Sequence, residues 1–171
     1  LICGFGRYGQ IVGRMLMSQG LQVTVLDHDA DNVEGLREFG FRVFYGDATR
    51  LDLLRTAGAG TAKAVVVAVD DIEQSLEIVD LFRENFPQTR IIARARNVSH
   101  LFQLRDRGVT LVEREVFESS LRSARSVLEV LGWPAHEARE SSMRFRERNL
   151  KLTDEIYPHY KDRAKLIAVN K

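Results

Sequence analysis

Three glycines near the start of the chain have the spacing of a phosphate-binding turn. Gly4, Gly6 and Gly9 form a Gly-x-Gly-x-x-Gly pattern between a short apolar run and a helical pattern. In such a turn the first glycine permits the tight bend, the second leaves room for a pyrophosphate, and the third lets helix and strand pack closely. The free N–H groups at the start of the helix would hold the phosphate, and Arg7 and Tyr8 lie in the same turn.

A carboxylate follows the second apolar run. Asp27 lies about 20 residues downstream of the turn, where the dinucleotide-binding pattern places an acidic residue, and His28 follows it. A carboxylate there accepts hydrogen bonds from ribose hydroxyls and repels a 2′-phosphate, so the pattern favours AMP or NAD(H) over NADP. The alternative is an ordinary glycine loop beside a solvated aspartate.

Two more polar segments follow predicted strands. Asp47, Ala48 and Thr49 come after the third strand, and Arg94 and Arg96 come at the end of the fifth. In an open parallel sheet, ligands bind at the carboxyl ends of the strands. We expect the first segment to face adenine or ribose and one of the arginines to reach phosphate. Helix capping and surface charge are the alternative for each residue, and the sequence leaves both open.

The residues of a catalytic site are not evident. Tyr157 and Lys161 have the spacing of the catalytic pair of short-chain dehydrogenases, but Pro158 interrupts the helix that would carry them. The four histidines are scattered without metal-ligand spacing, Cys3 lies inside a strand, and Asp70–Asp71 is placed to cap a helix. A cofactor site without catalytic groups predicts a regulatory protein with no metal and no enzymatic activity.

The elements that position these residues alternate along the chain. We predict strands at Leu1–Cys3, Val23–Leu26, Arg42–Tyr45, Ala64–Val69, Arg90–Ala93 and Thr110–Val112. Helical patterns fill most of the gaps, at Tyr8–Gln19, Ala30–Phe39, Leu51–Ala57, Ile72–Asn85 and Val98–Arg107. This alternation predicts a Rossmann-like α/β fold, a doubly wound parallel six-stranded sheet in the order 3-2-1-4-5-6.

The pattern changes after the last strand. A long amphipathic helix is predicted over Glu115–Leu131, and Gly132–Pro134 ends it. A second, strongly charged helix runs from Ala135 to about Ile156, with a thin apolar stripe of Phe145, Leu152 and Ile156. We therefore divide the chain into a nucleotide-binding domain (1–114), a crossover and dimerisation helix (115–132) and a peripheral helical extension (133–171).

The composition is that of a water-soluble globular domain. Of the 171 residues 44% are apolar, and the net charge of +1 gives no reason to expect nucleic acid as a partner. A single cysteine excludes an internal disulfide and favours a reducing, cytoplasmic environment. No apolar run has the length of a membrane span. Because the first strand already ends at Cys3, we expect the chain to be a piece of a longer protein.

Four of these motifs together resemble the RCK/KTN regulatory domains of potassium channels and transporters. They are Gly4–Gly9, Val25–Asp29, Tyr45–Thr49 and Ile92–Arg96. The resemblance extends over residues 1 to about 131, and its most diagnostic element is the Gly-Asp-Ala-Thr step that begins at Gly46.

A narrower resemblance concerns Val43–Thr49, Glu113–Glu118 and Phe145–Asn149, which are similar to the C-terminal domain of Kef-type glutathione-gated potassium efflux systems. This family implies a homodimer that follows a membrane antiporter-like domain, at the cytoplasmic face of the bacterial inner membrane. It also implies binding of AMP or NAD(H), inhibition of efflux by glutathione, release by glutathione S-conjugates, and an ancillary flavin oxidoreductase subunit. The chain departs from the common family form at Tyr8, where phenylalanine is frequent.

The same resemblance implies a glutathione site formed by Arg14, Phe39, Arg114 and Asn149. Two of these residues have side chains that their predicted positions in the helices disfavour. Asn149 falls on the apolar stripe of the second helix, and Arg114 falls at the start of the long helix, where the helix dipole disfavours a cation. The alternative is a solvated Arg114 and an Asn149 that hydrogen bonds to a neighbouring helix.

Two other functions share the predicted fold. One is an RCK/KTN domain of a Trk-type potassium uptake system or of a potassium channel, which usually continues into a small β-rich domain. The other is a fragment of an NAD-dependent dehydrogenase, which needs a substrate domain after Leu131. A charged helix follows instead, which favours the efflux system.

Overall fold

The computed structural model describes residues 1–29 and 35–162 and contains one parallel six-stranded sheet. Its order is β3-β2-β1-β4-β5-β6, and every neighbouring pair is parallel. The strands are β1 (Ile2–Cys3), β2 (Thr24–Asp27), β3 (Arg42–Tyr45), β4 (Ala64–Val67), β5 (Arg90–Ala95) and β6 (Leu111–Arg114). The predicted Rossmann-like fold and strand order are confirmed.

Both faces of the sheet are buried, which explains the nearly continuous apolar character of its strands. Ile2, Val25 and Val66 point into one core cluster, together with Phe5 and Phe41. Their chain neighbours point to the opposite face, where α3 and α4 supply most of the helical residues of the second cluster; these neighbours include Cys3, Leu26, Val65 and Val67. This alternation follows from the two-residue period of a strand.

Helices connect the strands close to where the sequence predicts them. They are α1 (Arg7–Ser18), α2 (Leu51–Thr56), α3 (Ile72–Asn85), α4 (Val98–Asp106), α5 (Phe117–Val130) and α6 (Ala135–Ile156). Of the helix predicted over Ala30–Phe39, residues 35–38 are helical and residues 30–34 lie outside the described part. Within the described residues no helix has both the length and the hydropathy needed to cross a bilayer.

The last two helices form a hairpin. α5 has no buried residue, and a left-handed Gly132, with φ of +91°, turns the chain into α6. α6 packs along α5 and brings Tyr157 and Tyr160 against Phe102 of α4. Of the predicted apolar stripe, the Phe145 side chain is 55% exposed, whereas the buried residues of α6 are Ala138 and Thr153.

Candidate functional site

The turn between β1 and α1 requires glycine at its first and third positions for different reasons. Gly4 has φ of +91°, and a Cβ there would lie 2.8 Å from the Val69 backbone nitrogen. A Cβ on Gly9 would lie 2.2 Å from the Gly4 carbonyl oxygen. Around Gly6, by contrast, a Cβ would have no described atom within 4 Å. The fold therefore requires glycine at positions 4 and 9, whereas Gly6 borders open space.

The start of α1 is suited to an anion. Gly6 is its N-cap and offers no side-chain hydrogen bond, and the first turn contains no acidic residue. The helices that follow β4 and β5 are capped instead: Asp71 accepts a hydrogen bond from the Gln74 N–H at 2.8 Å, and Asn97 accepts one from His100. The first turn of α1 thus contains no acidic residue, so its first N–H groups and the positive end of its dipole can hold an anion.

Asp27 closes the other side of the turn. It ends β2, is only 7% exposed, and accepts hydrogen bonds from the backbone N–H groups of Phe5 and Asp29. The carboxylate is thereby held in place by the glycine turn before α1 and by the backbone that follows β2. A carboxylate has about four acceptor positions, so it keeps the capacity to accept from two ribose hydroxyls.

These groups line a cleft of about 440 Å³ at the carboxyl ends of the strands. The predicted residues in its lining are Gly4, Gly6, Asp27 and His28. A narrow continuation reaches Gly46, Asp47 and Ala48, so the segment after β3 does face the same space. The Thr49 N–H donates to the Asp47 carboxylate at 2.8 Å, so these two residues also form the turn that leads to α2.

Sequence reasoning missed one wall of this cleft. The segment Ala68–Asp71 and Gln74 line it from the end of β4. β4 lies beside β1, where the strand order reverses, and ligands bind at such switch points. The predicted strand order therefore contains the signal for this wall. The predicted helix-capping role of Asp70–Asp71 is confirmed for Asp71.

Arg94 and Arg96 both pair with acidic side chains in this structure. The guanidinium of Arg94 is buried against Asp70 and Glu115, and Arg96 contacts the same two carboxylates. The Arg94 guanidinium also lies 5.5 Å from the centre of the Tyr8 ring. The prediction that one arginine reaches phosphate thus remains a prediction, and it would require a change of partner.

The remaining residues of the turn differ in exposure. Arg7 is exposed, whereas Tyr8 is half-buried beside Arg94. Burial, and then the charge of Glu113, raises the pKa of the Tyr8 hydroxyl, which Arg94 partly opposes. Tyr8 is therefore a neutral hydrogen-bonding group at physiological pH.

Arg114 and Asn149 come together at the junction of the domain with α6. Arg114 Nη2 donates to Asn149 Oδ1 at 2.6 Å, and the guanidinium stacks on the Phe117 ring with 3.6 Å to its centre. Burial lowers the pKa of the Arg114 guanidinium below its ordinary value. The prediction that Arg114 begins the long helix is wrong, because it ends β6 and α5 starts at Phe117. The pair is a half-buried cation hydrogen bonded to a half-buried amide.

Arg14 and Phe39 form a separate pair. They line an apolar cleft of about 730 Å³ beside α1, and the Phe39 side chain is 72% exposed. β6 lies three strands from β1, about 14 Å at the usual strand spacing. Within one chain, therefore, Arg14 lies near Phe39 and Arg114 lies near Asn149, and the two pairs are apart from each other.

The groups considered for catalysis lie elsewhere. Tyr157 and Lys161 both contact the carboxylate of Asp106 at the end of α4, which is the amino-terminal edge of the sheet, opposite the cleft. Cys3 is buried, and burial raises its thiol pKa to about 12. The described residues contain no group of three or more metal-ligating side chains.

Two family profiles together match most of the chain. The TrkA-N domain matches residues 1–115, and the potassium efflux system KefB C-terminal domain matches residues 119–171. The boundary between them falls at the start of α5.

Individual relatives agree with these profiles. The chain is 50% identical over 156 residues to the glutathione-regulated potassium-efflux system protein KefC of Salmonella arizonae, covering 91% of this chain but 25% of that protein. The chain thus spans about a quarter of the length of such relatives.

Solved structures agree as well. The Kef C-terminal domain of Shewanella denitrificans in its AMP-bound form superposes with a TM-score of 0.86 and 37% identity, over 92% of this chain and 96% of that one. The TrkA-N domain of the inner membrane protein ybaL of Escherichia coli superposes with a TM-score of 0.67 and 28% identity, over 76% and 93% of the chains. The chain therefore belongs to the TrkA-N domain family, and within it to the C-terminal domains of the Kef potassium efflux systems.

Proposed function

We propose that this chain is a ligand-sensing regulatory domain that binds AMP or NAD(H) in the cleft at the carboxyl ends of β1, β2 and β4. The observation that carries the proposal is the uncapped start of α1 facing the buried Asp27 across an open Gly6. The AMP-bound state of the Shewanella denitrificans domain supports the choice of nucleotide. Calorimetric titration of the purified chain with AMP tests it, and absence of binding would refute the proposal.

The cleft should discriminate against a 2′-phosphate. NADPH differs from NADH only by this group, which would lie beside the buried Asp27 carboxylate. Two charges about 4 Å apart at a protein surface repel by a few kcal/mol, so we expect NADPH to bind roughly 100-fold more weakly than NADH. Paired titrations with the two dinucleotides measure the ratio. Equal affinities would place the ribose away from Asp27.

The regulated process is the proposal's second part. The chain spans a quarter of a KefC protein, and we infer that it gates potassium efflux through a covalently linked membrane transport domain, at the cytoplasmic face of the inner membrane. Glutathione and its S-conjugates are the proposed regulatory ligands, bound across the dimer interface by Arg14, Phe39, Arg114 and Asn149. We propose no catalytic activity for the domain itself. Its proposed partner is the ancillary flavin oxidoreductase.

The division of the chain at 114 and 132 belongs to the same proposal. Residues 1–114 would bind the nucleotide, residues 115–132 would pair two subunits, and residues 133–171 would complete the glutathione site. The start of α5 between the two family profiles supports the first boundary, and the left-handed Gly132 supports the second.

A homodimer would use the uncovered face of α5. Val127 and Val130 are large apolar side chains on this helix that remain exposed, Val130 to 85%. Exposed apolar surface on a helix that buries no residue of its own is typical of a subunit interface.

We expect Val127→Glu to dissociate the dimer. A carboxylate forced into an apolar interface costs several kcal/mol, which weakens association by about 100-fold or more. Ser126→Glu, which adds the same charge at the neighbouring exposed position, is the control. Analytical ultracentrifugation of both variants gives the dissociation constants. A Val127→Glu protein that remains as dimeric as the control would exclude α5 from the interface.

A further inference from the structure

A buried arginine network joins the nucleotide cleft to the start of α5. Arg94 is 4% exposed, and its Nη1 lies 2.8 Å from Asp70 Oδ1 and 3.0 Å from the Ala68 carbonyl oxygen. Its Nη2 lies 2.6 Å from Glu115 Oε1. One rigid guanidinium thus holds the end of β4 on one side and the segment after β6 on the other. Arg96 spans the same carboxylates, but it is exposed and its contacts are longer, at 3.1 and 3.4 Å.

The two ends of this network have different surroundings. The Asp70 side chain is 78% exposed and lines the cleft. The ring of Tyr8, in the first turn of α1, packs over Arg94. Glu115 is largely buried, and its backbone N–H donates to the Ala95 carbonyl oxygen at 3.0 Å. It directly follows Arg114, whose guanidinium holds Asn149.

We propose that Arg94 is a positioning residue that couples nucleotide occupancy to the order of residues 111–120, and through them to the Arg114–Asn149 pair. A buried cation is stable only while its partners remain in place. A nucleotide in the cleft would lie against Asp70 and against the glycine turn that leads into Tyr8, and would therefore restrain the guanidinium that contacts both side chains. Because the guanidinium is planar and holds both carboxylates at once, this restraint extends to Glu115 and the start of α5.

This coupling rests on the proposed nucleotide binding, and AMP is the probe. In the wild-type chain, saturating AMP should slow hydrogen–deuterium exchange of the amides in 111–120 by about fivefold or more. The segment has no residue in the cleft lining, so a local contact with AMP does not explain the effect.

Two variants break the network at different points. Arg94→Met removes its centre, and Glu115→Gln removes the charge at its far end without touching the cleft. In each, AMP should change exchange of 111–120 by less than about twofold, at an AMP concentration shown by titration to saturate that variant. Arg94→Lys keeps the charge but reaches one carboxylate at a time, so an intermediate effect is expected. Arg90→Met, at the exposed start of the same strand, should behave as wild type.

The outcomes separate the two proposals. Loss of the AMP effect in Glu115→Gln, with AMP still bound, supports the coupling even if Arg94→Met does not fold. An AMP effect of wild-type size in either folded variant, or no effect of bound AMP in the wild type, overturns the coupling alone. If AMP does not bind the wild type, the proposed nucleotide function and this inference fail together. A merely structural role would lower thermal stability and leave the AMP-dependent difference unchanged.

Discussion

Replacing Gly6 with leucine is expected to abolish AMP binding without unfolding the domain. Gly6 has φ of −67° and ψ of −165°, which a residue with a side chain also adopts. A leucine side chain would occupy the space in front of the first α1 N–H groups. Loss of two hydrogen bonds to a charged phosphate costs about 3–6 kcal/mol, which is at least 100-fold in affinity.

The matched control is Gly60→Leu. Gly60 lies in a short exposed turn before β4, where a Cβ also meets no described atom within 4 Å. Calorimetric titration with AMP and thermal melting of both variants are the measurements. Gly60→Leu should bind as wild type does. Gly6→Leu binding AMP within tenfold of that control would show that the phosphate lies elsewhere.

The other two glycines of the turn should respond differently. Alanine at Gly9 would press against the Gly4 carbonyl oxygen, and alanine at Gly4 would press against the backbone at Val69 in a left-handed conformation. Both atoms belong to backbone, so they cannot rotate away. These substitutions should lower the melting temperature, and any loss of AMP binding would follow from that.

Much of this arrangement could be predicted from the sequence because it depends on local rules. The glycine spacing, the alternation of apolar runs with helical patterns, and Asp27 at a strand end each identify their element without knowledge of the rest of the fold. Strand order then follows from the handedness and connection rules of parallel sheets. For the same reason the observed ends of α1 and of α2 to α6 lie within two residues of the predicted ends.

The parts that could not be predicted depend on which distant side chains meet. Nothing local to Arg94 or Glu115 indicates that β5 and the segment before α5 share an ion pair. Helical periodicity places Phe145 on an apolar face but does not show whether a neighbour covers that face, and the Phe145 side chain stays exposed. Arg114 was placed one element too late, since a strand of four residues carries too little pattern to mark its end.

Arg114→Ala and Asn149→Ala are expected to weaken glutathione binding by one to two orders of magnitude each. At neutral pH glutathione carries two carboxylates, and an arginine holds a carboxylate through parallel hydrogen bonds that a lysine does not reproduce. The Arg114 guanidinium is already oriented by the Phe117 ring and by Asn149 Oδ1. A lost hydrogen bond to a charged group costs about 1.5–3 kcal/mol, or roughly 10- to 100-fold.

Arg144→Ala is the control, since Arg144 is an exposed arginine on the same helix as Asn149 and pairs only with Glu140 in the described contacts. Titration of the wild type, the two site variants and this control with glutathione measures the affinities, and melting temperatures show whether each variant is folded. If both site variants bind glutathione as the control does, the glutathione site lies elsewhere. Arg114→Lys should recover little affinity if two parallel hydrogen bonds are required.

Phe39 should instead govern the choice between glutathione and its S-conjugates. Its exposed ring lines the large apolar cleft beside Arg14. In the proposed glutathione site, a bulky group on the thiol would have to displace this ring, whereas a bare thiol would not. Phe39→Ala removes the obstacle and should raise the affinity for an S-conjugate relative to that for glutathione. Met15→Ala, also exposed on α1 but outside this cleft, is the control. An unchanged ratio of the two affinities in Phe39→Ala would assign the selection of conjugates to a different side chain, while the Arg114–Asn149 result would stand independently.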